Sequence, residues 1–280
     1  MRAHITIKKP EEIALIREGG KLLGRILDEL TKMVAPGITT ADLERYAEER
    51  IKAVGGRPSF KGYGLPRSQP FLTVLCASVN EEVVHAPALP ARVLNKGDII
   101  GIDIGMEYPN AELRAQKPEF KHLTQGFYND TAVTVGVGRI SSEAKRLIEV
   151  TQRALEIGIK AVKPGRLISD ISRAIEKYGQ KQDVGIVRDL VGHGVGYTVH
   201  EDPPIPNYYD ERLPEVTIQE NMVLAIEPMF TLGDWRIVLG PDGWTIKSAD
   251  NSLAAHFEHT IIVNKNGAEI ATKVDLVNSE

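Results

Sequence analysis

Three acidic residues lie in stretches of sequence that are otherwise apolar. Asp103 stands between isoleucines in GDIIGIDIG, Glu227 follows VLAI, and Glu258 precedes HTIIV. A carboxylate buried in such a strand must be paired with a cation or bind a metal ion, because burying it alone is very costly. None of the three stretches supplies a Lys or Arg, so metal binding is favoured over a buried ion pair.

Two further residues extend this set of possible ligands. Asp130 in NDTAV is, taken alone, most simply a turn residue at the start of a strand. His193 lies in GHGVGYTVHE, where glycines let the backbone approach a bound group closely. Four carboxylates and one neutral imidazole match the charge of two divalent cations, an arrangement that supports hydrolysis. The oxygen-rich set suits Mn, Fe(II) or Co better than a structural zinc ion.

Two more histidines, His85 in NEEVVHAP and His200 at the end of the glycine-rich stretch, have no ligand role in this scheme. Either one alone is most simply a surface histidine. Beside a metal pair, each becomes a candidate to form a hydrogen bond with a substrate carbonyl or amide nitrogen.

Helical periodicity and capping signals predict four helices that must help to position these residues. They cover residues 10–34, a segment capped by Thr39 that ends near Gly55, a segment from Ser141 to about Pro164, and one from about Ser169. Residues 34–43 and 162–171 share the pattern V-x-P-G-x-x-x-x-D followed by an aliphatic residue. This repeat favours two similar halves.

Five strands are predicted between the helices, at residues 72–79, 98–106, 127–137, 222–229 and 257–263. Helices followed by hairpin-like strands indicate an α+β fold with a largely antiparallel sheet. No linker divides the chain, so residues 1–280 are expected to form a single domain. The polar residues 107–125 are expected to form the tip of a hairpin.

The bulk properties exclude several classes of protein. The chain has 280 residues, a net charge of −4 and one cysteine, Cys76, so no intrachain disulfide is possible. The acidic balance does not suggest nucleic-acid or membrane binding. The N-terminal sequence has no apolar signal region and no stretch is long enough to span a bilayer, so a cytoplasmic location is expected.

Six motifs in order, NEEVVH, GDIIGIDIG, NDTAV, GHGVGYTVHE, AIEPM and FEHT, resemble the type I methionine aminopeptidases. The resemblance covers nearly the whole chain. It implies the pita-bread fold, in which two pseudo-symmetric α/β halves enclose a dinuclear metal site. The implied activity is removal of the N-terminal methionine from nascent polypeptides whose second residue is small. A cytoplasmic monomer is implied, and contact with the ribosome surface through residues 107–125 is an open alternative to a solvated loop.

The resemblance also implies roles for the five ligand residues. Asp103 holds one metal ion, Asp130 and Glu258 bridge the pair, and His193 and Glu227 hold the other. Glu227 would also act as the base on the bridging water that attacks the scissile carbonyl. Two divalent ions are implied, with Co, Mn, Fe(II) or Zn as the possible metals.

The resemblance implies further roles in binding the substrate. His200 would contact the scissile carbonyl and His85 would act near the scissile nitrogen. A thioether prefers soft and aromatic neighbours. The pocket for the methionine side chain is implied to contain Tyr63, Cys76 and Trp244, with Phe60 as a further member.

Several positions depart from the family pattern. Asp103 and Asp130 are farther apart than usual, so residues 108–124 should lengthen a hairpin tip without moving the ligands. Residues 65–73 also look longer than usual. Ala86 replaces a typical glycine, and His256 replaces a typical glutamine and is interpreted as a polar partner of the ligands.

Two other functions remain as alternatives. One is a related pita-bread peptidase, such as an Xaa-Pro aminopeptidase or prolidase, from which Cys76 and Trp244 distinguish this chain. The other is a non-catalytic binding relative, which would typically have lost metal ligands, whereas all five are present here.

Overall fold

The computed structural model describes residues 4–64 and 69–273, which form five α-helices and fifteen strands. The helices are α1 (Pro10–Met33), α2 (Thr40–Ala53), α3 (Ala111–Gln116), α4 (Ser142–Ala161) and α5 (Ile168–Gly179). The strands are β1 (Arg57–Pro58), β2 (Leu75–Val79), β3 (Glu82–Val84), β4 (Ile99–Tyr108), β5 (Phe127–Gly136), β6 (Gly185–Ile186), β7 (Val191–Gly194), β8 (Glu201–Pro206), β9 (Val223–Ile226), β10 (Met229–Thr231), β11 (Ile237–Leu239), β12 (Ile246–Ser248), β13 (Ala254–His256), β14 (Glu258–Asn264) and β15 (Gly267–Ile270).

The main sheet has nine strands and is antiparallel throughout its described pairs. Its order is β1-β4-β5-β14-β9-β7-β8, with β2 beside β4 and β15 beside β14. Strands β5 and β14 lie at the centre, and β4 and β9 flank them on either side. Two three-stranded sheets, β13-β10-β6 and β11-β12-β3, complete the α+β fold. The predicted antiparallel architecture is confirmed.

The two Pro-Gly turns make the same contacts in the two halves of the molecule. Gly37 donates its N–H to Leu94 O and Gly165 donates its N–H to Ile218 O, each over 2.9 Å. Both glycines have positive φ, 94° and 84°, a conformation that glycine adopts without strain. The predicted duplication is therefore present in three dimensions.

The four long helices form where their capping and periodicity predict. Thr39 accepts a hydrogen bond from the Asp42 N–H, and the Asp42 carboxylate accepts one from the Thr39 N–H, which closes a capping box at the start of α2. Helices α1 and α4 pack against the central strands and bury one continuous core across both halves. Each fully buried leucine or isoleucine in such a core contributes about 1.5–3 kcal/mol.

Side-chain alternation along β4 separates this core from the opposite face of the sheet. Ile102 and Ile104 are buried in the core, so Asp103 between them points the other way. The hairpin of β4 and β5 pairs without interruption from Ile99 to Tyr108. The extra residues at its tip therefore do not displace the sheet, as expected.

Two predicted segments differ in detail from the structure. The tip at 107–125 is not a plain turn, because it contains α3 and a 3₁₀ turn at Pro118–Phe120. Its base is fixed by Glu107, a buried carboxylate that pairs with Arg57 and Arg114. The strand predicted at 222–229 divides in two, since β9 ends at Ile226 and β10 begins at Met229. Among the described residues, no helix is long and apolar enough to cross a membrane.

Candidate metal centre and active site

Strand register brings three of the predicted ligands together. Ala132 of β5 pairs with Asp103 on one side and with Glu258 on the other. Asp130 lies two residues before Ala132 and therefore projects from the same face of the sheet. The central strands thus present three carboxylates in adjacent positions.

His193 and Glu227 approach this group from the second half of the molecule. His193 of β7 pairs with Ala225 of β9, and Glu227 directly follows β9. His193 Nε2 lies 3.4 Å from Glu227 Oε1 and 4.0 Å from Glu258 Oε1. One ligand atom each from Asp130, His193 and Glu258 lies within 4.8 Å of the others. All five predicted ligands line one cavity.

The carboxyl groups of this cavity are strongly perturbed. Burial raises the pKa of Asp103 to about 7, and the charge of Glu227 adds to the effect. Burial also raises the pKa of Asp130, Glu227 and Glu258 well above the usual range, with neighbouring carboxylates adding to it. Among the described lining residues there is no Lys or Arg to offset these charges.

The donor set fits divalent metal ions. Asp103 Oδ1 and Asp130 Oδ1 are buried with no hydrogen-bond partner among the described residues. Such atoms are costly to bury unless a cation satisfies them. His193 places its Nδ1 2.9 Å from Gly194 O, which assigns the proton to Nδ1 and leaves the Nε2 lone pair facing the carboxylates. Burial lowers the His193 pKa to about 3, so the ring is neutral as a ligand must be.

His200 lies beside the ligand group and is held by an aromatic neighbour. Its Nδ1 lies 2.8 Å from the Tyr63 hydroxyl, and its ring is 4.5 Å from that of His193. Partial enclosure lowers the His200 pKa, although the residue as a whole remains exposed. A neutral, oriented imidazole of this kind can form hydrogen bonds with a bound peptide.

His85 and His256 bring the number of imidazoles in the cavity to four. His85 has φ of +58°, a conformation in which histidine is over-represented but which remains uncommon. Burial lowers the pKa of His85 to about 4 and that of His256 to about 3. His256 Nε2 lies 3.4 Å from Glu227 Oε2, so His256 contacts a predicted ligand, as its sequence position suggested.

An apolar pocket opens onto the same cavity. Phe60, Cys76 and Phe71 are buried in it, and Trp244 contacts Phe71 edge-on with ring centres 5.3 Å apart. Tyr63 lies at the mouth and is 44% exposed. The cavity that joins this pocket to the ligand group measures about 80 Å³.

Sequence reasoning missed Phe71 as a member of this pocket. The segment 65–73 drew attention only because of its length, and residues 65–68 of it lie outside the described part of the chain. The signal that was available was a phenylalanine close before the strand that carries Cys76. Ala86, the other departure, is fully buried, and its carbonyl accepts a hydrogen bond from the Ala77 N–H.

Comparison with known proteins identifies the class to which this fold and this site belong. Residues 14–113 and 119–265 match metallopeptidase family M24. The chain belongs to metallopeptidase family M24, and it is accordingly a hydrolase that uses divalent metal.

Within that family, the strong similarities are to methionine aminopeptidases. Methionine aminopeptidase 1 of Bacillus subtilis is 41% identical over 271 residues, 96% of this chain and 100% of its own length. The methionine aminopeptidase of Clostridium perfringens is 42% identical over 96% of this chain and 99% of its own. The crystal structure of the Thermotoga maritima methionine aminopeptidase superimposes with a TM-score of 0.85 at 41% identity, covering 96% of this chain and 99% of that one. The predicted family resemblance is confirmed.

The pita-bread fold is also shared with more distant peptidases. The prolidase of Pyrococcus horikoshii superimposes with a TM-score of 0.67 at 20% identity and covers 96% of this chain but 64% of that one. At this identity the likeness concerns the fold alone. The predicted fold is confirmed by these neighbours together.

Proposed function

We propose that the protein removes the N-terminal methionine from polypeptides whose second residue is small. One observation carries the proposal: the five proposed metal ligands open onto the same cavity as the apolar pocket. That pocket is formed by Phe60, Phe71, Cys76 and Trp244. A thioether side chain in that pocket would leave the first peptide bond beside the carboxylates and His200. The methionine aminopeptidases that resemble this chain over nearly its whole length support the same specificity.

The proposed ligand set holds two divalent ions, with Co, Mn, Fe(II) or Zn as the possible metals. Asp103 would hold one ion, His193 and Glu227 would hold the other, and Asp130 and Glu258 would be shared between them. The orphaned buried oxygens of Asp103 and Asp130 support this assignment. When bound, such ions polarise a scissile carbonyl and make water a better nucleophile at neutral pH.

The remaining steps are carried by side chains of this protein. Glu227 is the proposed proton acceptor, because its carboxylate lines the cavity beside the other ligands, within reach of a water held there. His256 packs beside that carboxylate, with its Nε2 3.4 Å from Glu227 Oε2. His200, oriented by Tyr63, donates a hydrogen bond to the scissile carbonyl, and His85 acts beside the leaving nitrogen.

The pocket sets the preference for methionine. Cys76 lies under the pocket with its thiol near Asp103, and burial raises the pKa of that thiol, so it stays uncharged. Aromatic walls and a neutral sulfur suit a flexible thioether. Tyr63 and Trp244 form the entrance, where the second residue of a substrate would lie.

The proposed setting follows from this activity. The partners are the N-termini of nascent polypeptides in the cytoplasm, and residues 1–280 act as one catalytic domain and as a monomer. For residues 107–125, a solvated tip is better supported than a contact with the ribosome surface. Arg114, one of the basic residues of that segment, is already paired with Glu107 of the same protein.

The substrate claim is tested with three peptides, Met-Ala-Ser, Met-Arg-Ser and Ala-Pro-Ala, incubated with metal-supplemented protein. We expect release of methionine from Met-Ala-Ser and much slower cleavage of the other two. Cleavage of Ala-Pro-Ala instead would support the related Xaa-Pro peptidase. Inactivity on all three with metal bound would support a binding relative.

A further inference from the structure

A lysine near the start of the chain is completely enclosed beside the loop that carries His200. The Lys8 side chain is 1% exposed, and its Nζ lies 2.6 Å from Glu201 Oε2, in a carboxylate that is itself 7% exposed. Thr6 also donates a hydrogen bond to the same oxygen. Glu201 directly follows His200 in the sequence. Such a buried ion pair needs good geometry and additional hydrogen bonds to offset the desolvation of its charges.

The other carboxylate oxygen of Glu201 holds the loop itself. Glu201 Oε1 accepts hydrogen bonds from the backbone N–H groups of Tyr197 and Thr198. Thr198 in turn donates its hydroxyl to the carbonyl of His200 over 2.8 Å. The conformation of this loop therefore depends on the hydrogen bonds that Glu201 Oε1 accepts.

The stem of Lys8 supports the same loop by packing. A Cβ added at Gly196 would lie 2.5 Å from Lys8 Cε, so the glycine lets the loop rest directly on the lysine. Lys8 Nζ also lies 4.9 Å from the centre of the Tyr197 ring, within the range of a cation–π contact. The backbone of Lys8 is fixed independently, because its N–H donates to Asn221 O over 3.1 Å.

We propose that Lys8 is a positioning residue for the reaction: through Glu201 it fixes the loop of residues 195–200 and so sets the place of His200 against the bound peptide. This inference rests on the proposed function for its kinetic consequence. Lys8 does not contact the cavity, so its effect reaches the chemistry only through the loop. His193 lies on β7, which leads into this loop and pairs with β8 through Gly194 and Glu201, and the pairing of β7 with β9 gives His193 a second support outside the loop.

The kinetic test compares K8M, E201Q and the double variant K8M/E201Q with the parent protein. K8M keeps the apolar stem and leaves Glu201 buried without its cation, so kcat for Met-Ala-Ser should fall by about tenfold to a hundredfold. KM should change little, and the bound metal should stay at the parent level. The double variant removes both charges and should recover most of the lost kcat.

Arg17→Met is the matched control. Arg17 pairs with Glu269 over 2.6 Å and 2.9 Å and joins α1 to β15 away from the loop. Its loss should lower the temperature of unfolding without changing kcat. If Lys8 had a purely structural role, K8M would likewise unfold at a lower temperature with an unchanged kcat. That result would overturn the proposal. Loss of metal from K8M would overturn it as well. If K8M does not fold, E201Q decides: it should also lower kcat at unchanged metal content.

An NMR measurement tests the positioning role of Lys8 independently of the proposed function. The imidazole ¹⁵N signals of His200, assigned with His200→Ala, should shift in Zn-loaded K8M while those of His259 stay unchanged. Unchanged His200 signals would contradict the positioning role whatever the peptide assays show. If the parent protein were inactive on every peptide, the proposed function would be refuted. The shift of the His200 signals would still test the role of Lys8 in that case.

Discussion

At the residue level, the candidate site buries several carboxyl groups whose mutual repulsion is relieved either by bound protons or by a cation. Asp103 and Asp130 each keep a buried oxygen that has no partner in the described part of the chain, and Glu258 is 2% exposed. These groups destabilise the metal-free fold and become ligands when metal is present. His193 differs from them, because its backbone hydrogen bond fixes the tautomer in advance.

Asp103→Asn and Glu258→Gln should each abolish measurable turnover and lower metal content. The amides keep the size of the side chains but remove a ligand charge, and removing a buried like charge should raise the stability of the metal-free protein. Metal per chain by mass spectrometry, kcat and the temperature of unfolding check this. Glu112→Gln in the exposed first turn of α3 is the control. Full activity in either ligand variant would refute the metal assignment.

His200→Ala should lower kcat by about a hundredfold or more, as loss of a positioned hydrogen-bonding imidazole does, while metal content stays constant. Tyr63→Phe removes the hydroxyl that orients His200 and should show a smaller loss of the same kind. Steady-state kinetics with Met-Ala-Ser and metal analysis distinguish the cases. Loss of metal from His200→Ala would show that His200 is a ligand instead.

At the scale of elements, the hairpin of β4 and β5 separates the ligands from the insertion at its tip. Gly105 pairs with Asp130 and Asp103 pairs with Ala132, several residues from where α3 begins. The tip contributes Phe120, which is buried and contacts Tyr108 edge-on. The insertion therefore stabilises the end of the hairpin more than it shapes the site.

Replacing residues 110–125 by a short turn should keep kcat for Met-Ala-Ser within about twofold, because the register that aligns the carboxylates is unchanged. The variant should unfold at a lower temperature, since Phe120 loses its buried contacts. Kinetics and thermal unfolding measured on the same preparation check both parts. A large fall in metal content would show that the tip does position the ligands.

The sequence predicted those features that depend on local pattern. The four long helices follow from periodicity and capping, and Asp103 and Glu258 stood out because charged residues interrupt apolar strands. Features that depend on distant contacts were not predictable. Lys8 lies in IKKPEE, a charged stretch that reads as exposed, and only its pairing with Glu201 from the other half of the molecule buries it.

For the molecule as a whole, the stability of the metal-free protein should depend on pH, and bound metal should remove this dependence. The raised carboxyl pKa values mean that the metal-free folded protein binds protons that the unfolded chain has released, so stability falls as pH rises through that range. The lowered histidine pKa values act oppositely, but only below about pH 7.5, where the unfolded histidines begin to gain charge.

Between pH 7.5 and 8.5 the carboxyl groups should therefore decide the trend. Metal-free protein should lose about 1.4 kcal/mol of stability per pH unit for each proton that the folded state retains. Denaturant unfolding at several pH values measures the trend. Saturating Mn(II) should remove it, and a metal-free protein that becomes more stable towards pH 8.5 would contradict this account.

Metal-dependent hydrolysis is tested most directly by a metal titration in which peptide hydrolysis is the readout. Chelator-stripped protein is supplied with increasing Mn(II), and bound metal and hydrolysis of Met-Ala-Ser are measured on the same samples. We expect no turnover without metal and a rate that rises with bound metal and saturates at no more than about two ions per chain. Turnover by the metal-free protein, or fully bound metal with no turnover of this peptide, would contradict this expectation.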